Sequence, residues 1–340
     1  MRDSIDSKLV TRFSEWLLKY IPEFRYQTKE PRIAEIGGDA GFRRYYRVNS
    51  QPTRIGVISP PEKENNLEFV QIANLLRDNG VAVPKIFAVC FEKGFLLVED
   101  FGDTTFFEAL KTSNSDALYD QAEKSLFKMQ QIYPSESSLV TYDLEKVLDE
   151  LALFEAWFLK AKLGIPSSEI PSEILRECFQ KLIDNFNEQP QTFVHRDYHS
   201  RNIMVKQDKS LGVIDFQDAL IGPITYDLVS LYRDCYLQLD QDYIRRKLLN
   251  YKDRLELKKV IPRVSNKTFE RWFDLTGLQR HLKVLGIFSR LAIRDQKTAY
   301  LRDIPLVMTY VRLILDRYDE FSLLQEWIEK CVYPTLQKQT

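Results

Sequence analysis

The segment VHRDYHSRNIMV, residues 194–205, sets His195, Arg196 and Asp197 in a row and places Asn202 five positions after the aspartate. Two short apolar runs of β character follow, IMV at 203–205 and LGVI at 211–214, joined by the polar turn KQDKS. Such a hairpin brings Asn202, just ahead of its first strand, close to Asp215, just behind its second. Two hard oxygen ligands from adjacent segments suit Mg²⁺, which takes a few protein oxygens and shares the rest with water and phosphates. Asp197 is then free to accept a hydroxyl proton. His-x-Asp, an Asn at plus five and an Asp after the next strand form the phosphoryl-transfer arrangement, here with ATP and Mg²⁺ as expected cofactors. Asp197 is the expected catalytic residue, and Asn202 and Asp215 are the expected metal ligands. Ile214-Asp215-Phe216 reproduces a metal-binding aspartate with a following aromatic, with Gln217 where protein kinases carry glycine.

Two other readings of the segment are weaker. His195 and His199 stand four apart, a spacing that could present two zinc ligands if the segment were helical. Residues 196–202 read as loop, and no third ligand is evident. A merely polar turn would not require Ile-Asp-Phe at the matching distance. His195 reads best as a packed residue that braces the loop.

Upstream, GGDAGFRRYYRV fits a glycine-containing turn between two strands, of the kind that lays backbone N–H groups over phosphates, which nominates Gly38 and Gly41. Glu99 and Phe101, in the run GFLLVEDFG, sit where a hinge would offer backbone groups to an adenine edge. One part is missing. The third strand of a kinase-like fold carries a lysine for the α- and β-phosphates, whereas Arg54-Ile55-Gly56-Val57-Ile58-Ser59 has none. Arg43 or Arg44 is expected to supply the cation, and Glu68, on the next helix, reads as solvated. Downstream, Asp227 in GPITYDL either caps a helix or reaches back to the loop at 195–197.

These residues need a frame. Leu9, Phe13, Trp16, Leu17 and Tyr20 share a helical face, and Pro22 ends the run. After Pro31 come three β-type segments, a helix at about 64–77, and two further strands at VAVPKIFAVCFE and GFLLVED. Beyond Gly102 the pattern is helical, at 104–112, 115–132, 143–163, 172–187, 225–239, 241–256, 266–296, 303–318 and 320–330, with strand-like pieces only at 193–216. The expectation is an α+β, bilobal, protein-kinase-like fold. A small N-terminal lobe with an antiparallel sheet (1–99) binds nucleotide, 100–102 form a hinge, and a larger, mostly helical lobe (103–340) carries the catalytic loop and acceptor site.

Composition narrows the partners. Over 340 residues, 48 Lys and Arg nearly balance 49 Asp and Glu, which argues against nucleic acid or an anionic membrane as the main partner. No apolar run approaches a membrane span, and the acidic, short-cored N-terminus does not read as a signal peptide. Cys90, Cys178, Cys235 and Cys331 show no paired spacing and read as reduced thiols of a cytoplasmic protein.

The set His-x-Asp-x-x-x-x-Asn, Ile-Asp-Phe-x-Asp and Gly-Pro-x-x-Tyr-Asp-Leu resembles the aminoglycoside phosphotransferase and choline kinase superfamily. Within it, GDAGFRRYYRV, GFLLVEDFGD, HRDYHSRNIM and RHLKVLGIFSRLAIRD are similar to the N-acetylmuramate/N-acetylglucosamine anomeric kinases of bacterial cell-wall recycling. The resemblance runs from about residue 37 to 305. It implies an N-acetylated amino sugar phosphorylated at its anomeric hydroxyl, and a group that also lacks the strand lysine. Arg280, Lys283, Arg290 and Arg294 recur at three- and four-residue spacing, so several could share a helical face toward an anionic acceptor, or form an ordinary solvated face. An aminoglycoside or amino-alcohol kinase and a nucleotide-binding regulatory protein without transfer are the competing functions. No activation loop ending in Ala-Pro-Glu follows Asp215, which disfavours protein substrates.

Overall fold

A computed structural model describes residues 2–21, 33–37, 41–113, 115–132 and 139–339. The chain divides into two compact units, one of Met1–Ser125 with Arg201–Asp218 and the other of Leu126–Ser200 with Ala219–Thr340. The hinge expected at 100–102 falls inside the first.

The first unit begins with helix α1 (Arg2–Tyr20) and continues into β1 (Ile33–Ile36), β2 (Arg44–Val48), β3 (Arg54–Ile58), α2 (Asn66–Asp78), β4 (Ile86–Cys90) and β5 (Phe95–Glu99). The five strands form one antiparallel sheet in the order β1-β2-β3-β5-β4. Strand alternation sorts its side chains onto two faces. Tyr46, Val48, Ile58, Phe95 and Leu97 pack against Phe13, Trp16 and Leu17 of α1. Ile55, Val57, Leu96 and Val98 turn the other way, with Tyr45, Phe69 and Val70 against them. Gly56 stands mid-strand because the Phe13 ring lies over it, and a Cβ there would come within 2.6 Å of that ring. Asn65 caps α2 by accepting the Glu68 N–H at 3.1 Å. Leu67 is exposed, and the buried face of α2 is Ile72, Ala73 and Leu76. The strands Ile203–Val205 and Leu211–Val213 pair antiparallel as the hairpin expected between Asn202 and Asp215.

The second unit is built on the 29-residue helix Asn266–Arg294, buried on nearly every side. Helix Leu144–Leu153 packs along it and runs on in a wider π-type turn over Phe154–Lys162. Gly286 permits the approach: a Cβ there would lie 2.4 Å from the Leu153 carbonyl carbon. Helices Ser172–Glu188 and Ile304–Arg317 close the core. An antiparallel pair, Gln191–Val194 with Leu220–Pro223, delivers the chain to His195 on one side and to helix Tyr226–Tyr232 on the other. That helix stops at Tyr232, short of the 225–239 expected from sequence. The Asp234 carboxylate takes the Tyr236 N–H at 3.0 Å and the Ser200 N–H at 2.8 Å, which diverts the chain from helical pairing.

Gly286→Ala should force the two packed helices apart, because the atoms it meets are backbone. The expected loss is about 1–3 kcal/mol, the range for overpacked cores. Urea unfolding of the variant measures it, and an unchanged midpoint would show that the helix contact is looser than described.

Candidate functional site

In the second unit the loop after Val194 is held from beneath. Asp227, 1% exposed, accepts the His195 N–H at 2.7 Å and the Arg196 N–H at 3.1 Å. Arg196 itself has φ 76°, a left-handed conformation that a non-glycine residue keeps only when its surroundings enforce it. Of the two roles open to Asp227, the structure selects reaching back. His195 is fully buried, its Nδ1 accepts the Asp197 N–H at 3.3 Å, and its ring meets Tyr198 edge-on. His199 lies edge-on to Tyr236 instead of pairing with His195.

The loop's charges are set by distant residues. Arg196 Nη2 lies 2.5 Å from Glu150, on helix Leu144–Leu153, and Lys283 Nζ lies 3.2 Å from the same carboxylate. Glu150 also accepts from the Tyr142 hydroxyl and from Gln279. Lys283 donates to the Tyr226 hydroxyl at 3.0 Å. Arg280 Nη1 stands 3.7 Å from Asp197 Oδ1; the Arg280 side chain is 2% exposed and that of Asp197 42%. Burial works to raise the Asp197 pKa, but Arg280 first, then Lys283, His199 and Arg196, outweigh it and hold the carboxyl well below the usual range. Asp197 is therefore a carboxylate at any pH near neutrality. Asp227 goes the other way. Its burial pushes it up to about 7, against the pull of the His195 N–H, Arg280 and the Arg196 N–H.

The four basic residues expected along one helix face separate into two pairs. Arg280 and Lys283 are buried beside the loop, whereas Arg294 is exposed and bonded to its neighbour Asp295 at 2.9 Å. Arg290 is half-buried.

In the first unit the cavity lies on the face of the sheet away from α1. It measures about 400 Å³ and is lined by apolar side chains of β3 and β5, by Glu99, Phe101 and Gly102 at one edge, and by Asn202, Asp215, Phe216 and Gln217. Asn202 Nδ2 donates to Asp215 Oδ2 at 3.1 Å, and Gln217 Nε2 donates to Asp215 Oδ1 at 2.8 Å. The Ile214 N–H also donates to the Asn202 carbonyl, so the hairpin locks the two residues together. Asp215, like Arg196, has a left-handed backbone, at φ 66°. One carboxylate and one amide oxygen-bearing side chain facing a cavity fit a hard cation that completes its shell with phosphate and water. Among the described residues no group of three His, Cys, Asp or Glu side chains is gathered to hold a metal unaided.

The sequence-nominated residues fare differently. Glu99, Phe101 and Arg43 line the cavity, and Phe101 is seated on Gly212, where a Cβ would come 2.3 Å from its ring. Arg44 is one residue out of phase: its guanidinium lies over Tyr46, whose ring packs toward α1, and it is absent from the cavity lining. Gly41 sits against Glu64, and Gly37 reaches the cavity. Gly38 lies outside the described residues. Sequence reasoning missed Glu150, Asp234 and Glu64. Each acts on a segment far along the chain, and a single acidic residue in a helix or turn carries no signal of its partner.

Known proteins resemble this chain over most of its length. Residues 32–258 match a model described as a phosphotransferase enzyme family. A protein of Pseudomonas putida named N-acetylmuramate/N-acetylglucosamine kinase is 36% identical over 297 residues, covering 87% of each chain. Another of that name, from Pseudomonas aeruginosa, is 36% identical over 320 residues, covering 92% of this chain and 93% of its own. Among solved structures, an ADP-bound aminoglycoside phosphotransferase APH(2'')-Ib has a TM-score of 0.57 and 16% identity, covering 89% of this chain and 98% of that one. At that identity the likeness is one of fold.

The Asp227 carboxyl yields a pH signature. With a folded pKa of about 7, above that of a solvated Asp, the folded state holds a proton that the unfolded chain has released. Its contribution to stability is therefore full below the unfolded pKa and is lost as pH rises toward and through 7. The stability gap between wild type and Asp227→Asn should narrow from pH 4.5 to 7.5 in urea titrations. A gap of constant size would mean that Asp227 titrates as in the unfolded chain.

Proposed function

The chain belongs to the phosphotransferase enzyme family, and from that membership we propose that it phosphorylates the anomeric hydroxyl of an N-acetylated amino sugar. N-acetylmuramate or N-acetylglucosamine is the acceptor, a nucleoside triphosphate such as ATP is the donor, and the product is the sugar 1-phosphate. The reaction serves the reuse of cell-wall sugars in the cytoplasm. The observation that carries this reading is Asp197: an ionised carboxylate on a loop fixed by Asp227, with buried cations beside it.

Asp197 accepts a hydrogen bond from the sugar C1 hydroxyl and orients its oxygen for in-line attack on the γ-phosphorus. As the new O–P bond forms, the bond to the β-phosphate oxygen breaks, the nucleoside diphosphate leaves, and the hydroxyl proton passes to Asp197. A carboxylate of lowered pKa is a weak base, but a loose transition state asks for little proton removal before bond formation. An anomeric hydroxyl is also more acidic than other sugar hydroxyls. Asn202 and Asp215 would hold Mg²⁺, which when bound neutralises charge on the transferring phosphates. Glu99 and Phe101 edge the nucleotide cavity.

The cationic surroundings of Asp197 also weigh on the acceptor. Arg280 and Lys283 suit a neutral sugar or one bearing a carboxylate, as N-acetylmuramate does, and oppose a polycationic aminoglycoside. Retention of Asp197, Asn202 and Asp215 together opposes a regulatory protein that has lost transfer.

Asp197→Asn should bind nucleotide as the wild type does and lose turnover by about 10²–10⁴-fold, the range for a positioned acid–base group. Asp215→Asn should lose Mg²⁺-dependent nucleotide binding as well. Calorimetry in which Asp197→Asn abolishes nucleotide binding would contradict this division of roles.

Transfer to C1 removes the free reducing end. A reducing-sugar assay should fall in step with release of the nucleoside diphosphate, and the product's phosphorus resonance should couple to H1. Diphosphate release with the reducing end intact would place the phosphate on another hydroxyl.

A further inference from the structure

We infer that Arg43 is the cation that anchors the nucleotide's phosphates and that Glu64 positions it, an ion pair at the start of β2 taking the place of a lysine on β3. This rests on the nucleotide-site reading above.

The cavity face of β3 offers only Ile55 and Val57, while Gly56 and Ile58 face α1. A phosphate-binding cation must therefore come from a neighbouring element. Strand alternation puts Arg43, Tyr45 and Arg47 on the cavity side and sends Arg44 and Tyr46 to the other. Arg47 is engaged elsewhere, by Asp100 at 2.7 and 3.1 Å and by Asp103 at 2.8 and 2.9 Å. Arg201, the third arginine of the lining, lies over the Phe107 ring.

Arg43 is held differently. Its Nη2 meets Glu64 Oε2 at 3.1 Å, and its guanidinium lies 5.2 Å from the Phe69 ring centre. Phe69 in turn stacks on Phe216 at 5.0 Å, the residue after Asp215. Two ring contacts thus tie Arg43 to the metal-binding end of the cavity. The register confirms which end this is. Arg44 pairs with Ile58, whereas Val48 pairs with Arg54, which pairs with Glu99. Arg43 and Arg47 are four residues apart on one strand face, about 13 Å. A nucleotide lying along β2 with its base toward Glu99 would bring its phosphates to Arg43.

Glu64 does two things at once. Its Oε1 accepts the Phe42 N–H at 2.9 Å while Oε2 pairs with Arg43. A Cβ at Gly41 would stand 3.3 Å from Oε1, so the glycine keeps the turn close to the carboxylate. Glu64 therefore holds both the Phe42 backbone and the Arg43 guanidinium through one oxygen each. Glu68, the acid on α2 itself, is bonded to Asn65 and takes no part.

The test compares binding of diphosphate and nucleoside, ADP with adenosine and GDP with guanosine, to the full chain by calorimetry. Arg43→Ala should weaken binding of the preferred diphosphate by at least about tenfold, the size of a lost charge-assisted contact, and leave its nucleoside within about twofold. Glu64→Gln should weaken the diphosphate by a smaller factor with the nucleoside unchanged, Arg43→Lys should recover part of the loss, and Glu68→Gln should match wild type. Diphosphate binding by Arg43→Ala within twofold of wild type overturns the inference, as does equal loss of diphosphate and nucleoside. Wild-type behaviour of Glu64→Gln overturns the role given to Glu64. A wild-type chain that binds neither diphosphate overturns the nucleotide-site reading, and the inference with it.

Discussion

The left-handed backbone at Arg196 rests on Asp227, which accepts the N–H groups of both His195 and Arg196. A non-glycine residue in that region costs on the order of 1–3 kcal/mol. The two N–H donations to the buried Asp227 side chain offset this. Everything chemical in the second unit follows from that turn. It brings the Arg196 guanidinium to Glu150 and sets Asp197 beside Arg280. The strand pair Gln191–Val194 and Leu220–Pro223 makes the arrangement possible, because it delivers His195 and Asp227 from two remote stretches to the same end of a two-stranded ladder.

Burying so many ionised groups is tolerable only because they neutralise one another. Glu150 is surrounded by Arg196, Lys283, Tyr142 and Gln279, and the cations outweigh the burial that would otherwise protonate it. Removing one member of such a set leaves an uncompensated charge, which is costlier than never having had the pair. The helix Asn266–Arg294 supplies Gln279, Arg280 and Lys283 from neighbouring positions of its buried surface. These three are thus interior groups beside Glu150 and Asp197, unlike the exposed Arg294 at the helix end. The same helix packs through Gly286 against the segment that carries Glu150, so one helix contact sets the spacing of the charges.

The first unit solves a different problem, with a cavity whose floor is apolar and whose charged side chains stand around it. The sheet's two faces are both buried, one under α1 and one toward α2, so β3 and β5 carry apolar residues at successive positions. Glycine at 56 lets the Phe13 ring lie on the sheet, and glycine at 212 lets the Phe101 ring lie on the hairpin. Phe101 in particular gains a fixed seat at the cavity edge from a residue more than one hundred positions later.

What could be read from the sequence was what depends on local pattern. The meeting of Asn202 and Asp215 was legible, because a hairpin's pairing rules bring its two ends together whatever surrounds it. Alternation and turn residues marked the five strands, and the long periodic runs marked the helices. What the sequence left open was every choice that turns on a partner elsewhere. Arg43 and Arg44 are chemically identical neighbours, and only the phase of β2 against α1 and the cavity tells them apart. Asp227 could cap or reach back, and only the ladder bringing His195 to it decided. Arg280 and Lys283 fit a solvated face as well as an interior one, until helix packing buried them beside Glu150 and Asp197. The helix expected to run on to 239 ended at Tyr232 because Asp234 bonds the Ser200 N–H, a contact 34 residues apart in the chain. Local propensity and periodicity act over a few residues, whereas the ionisation and direction of a side chain are set by the charges and packing around it, and those belong to the tertiary structure.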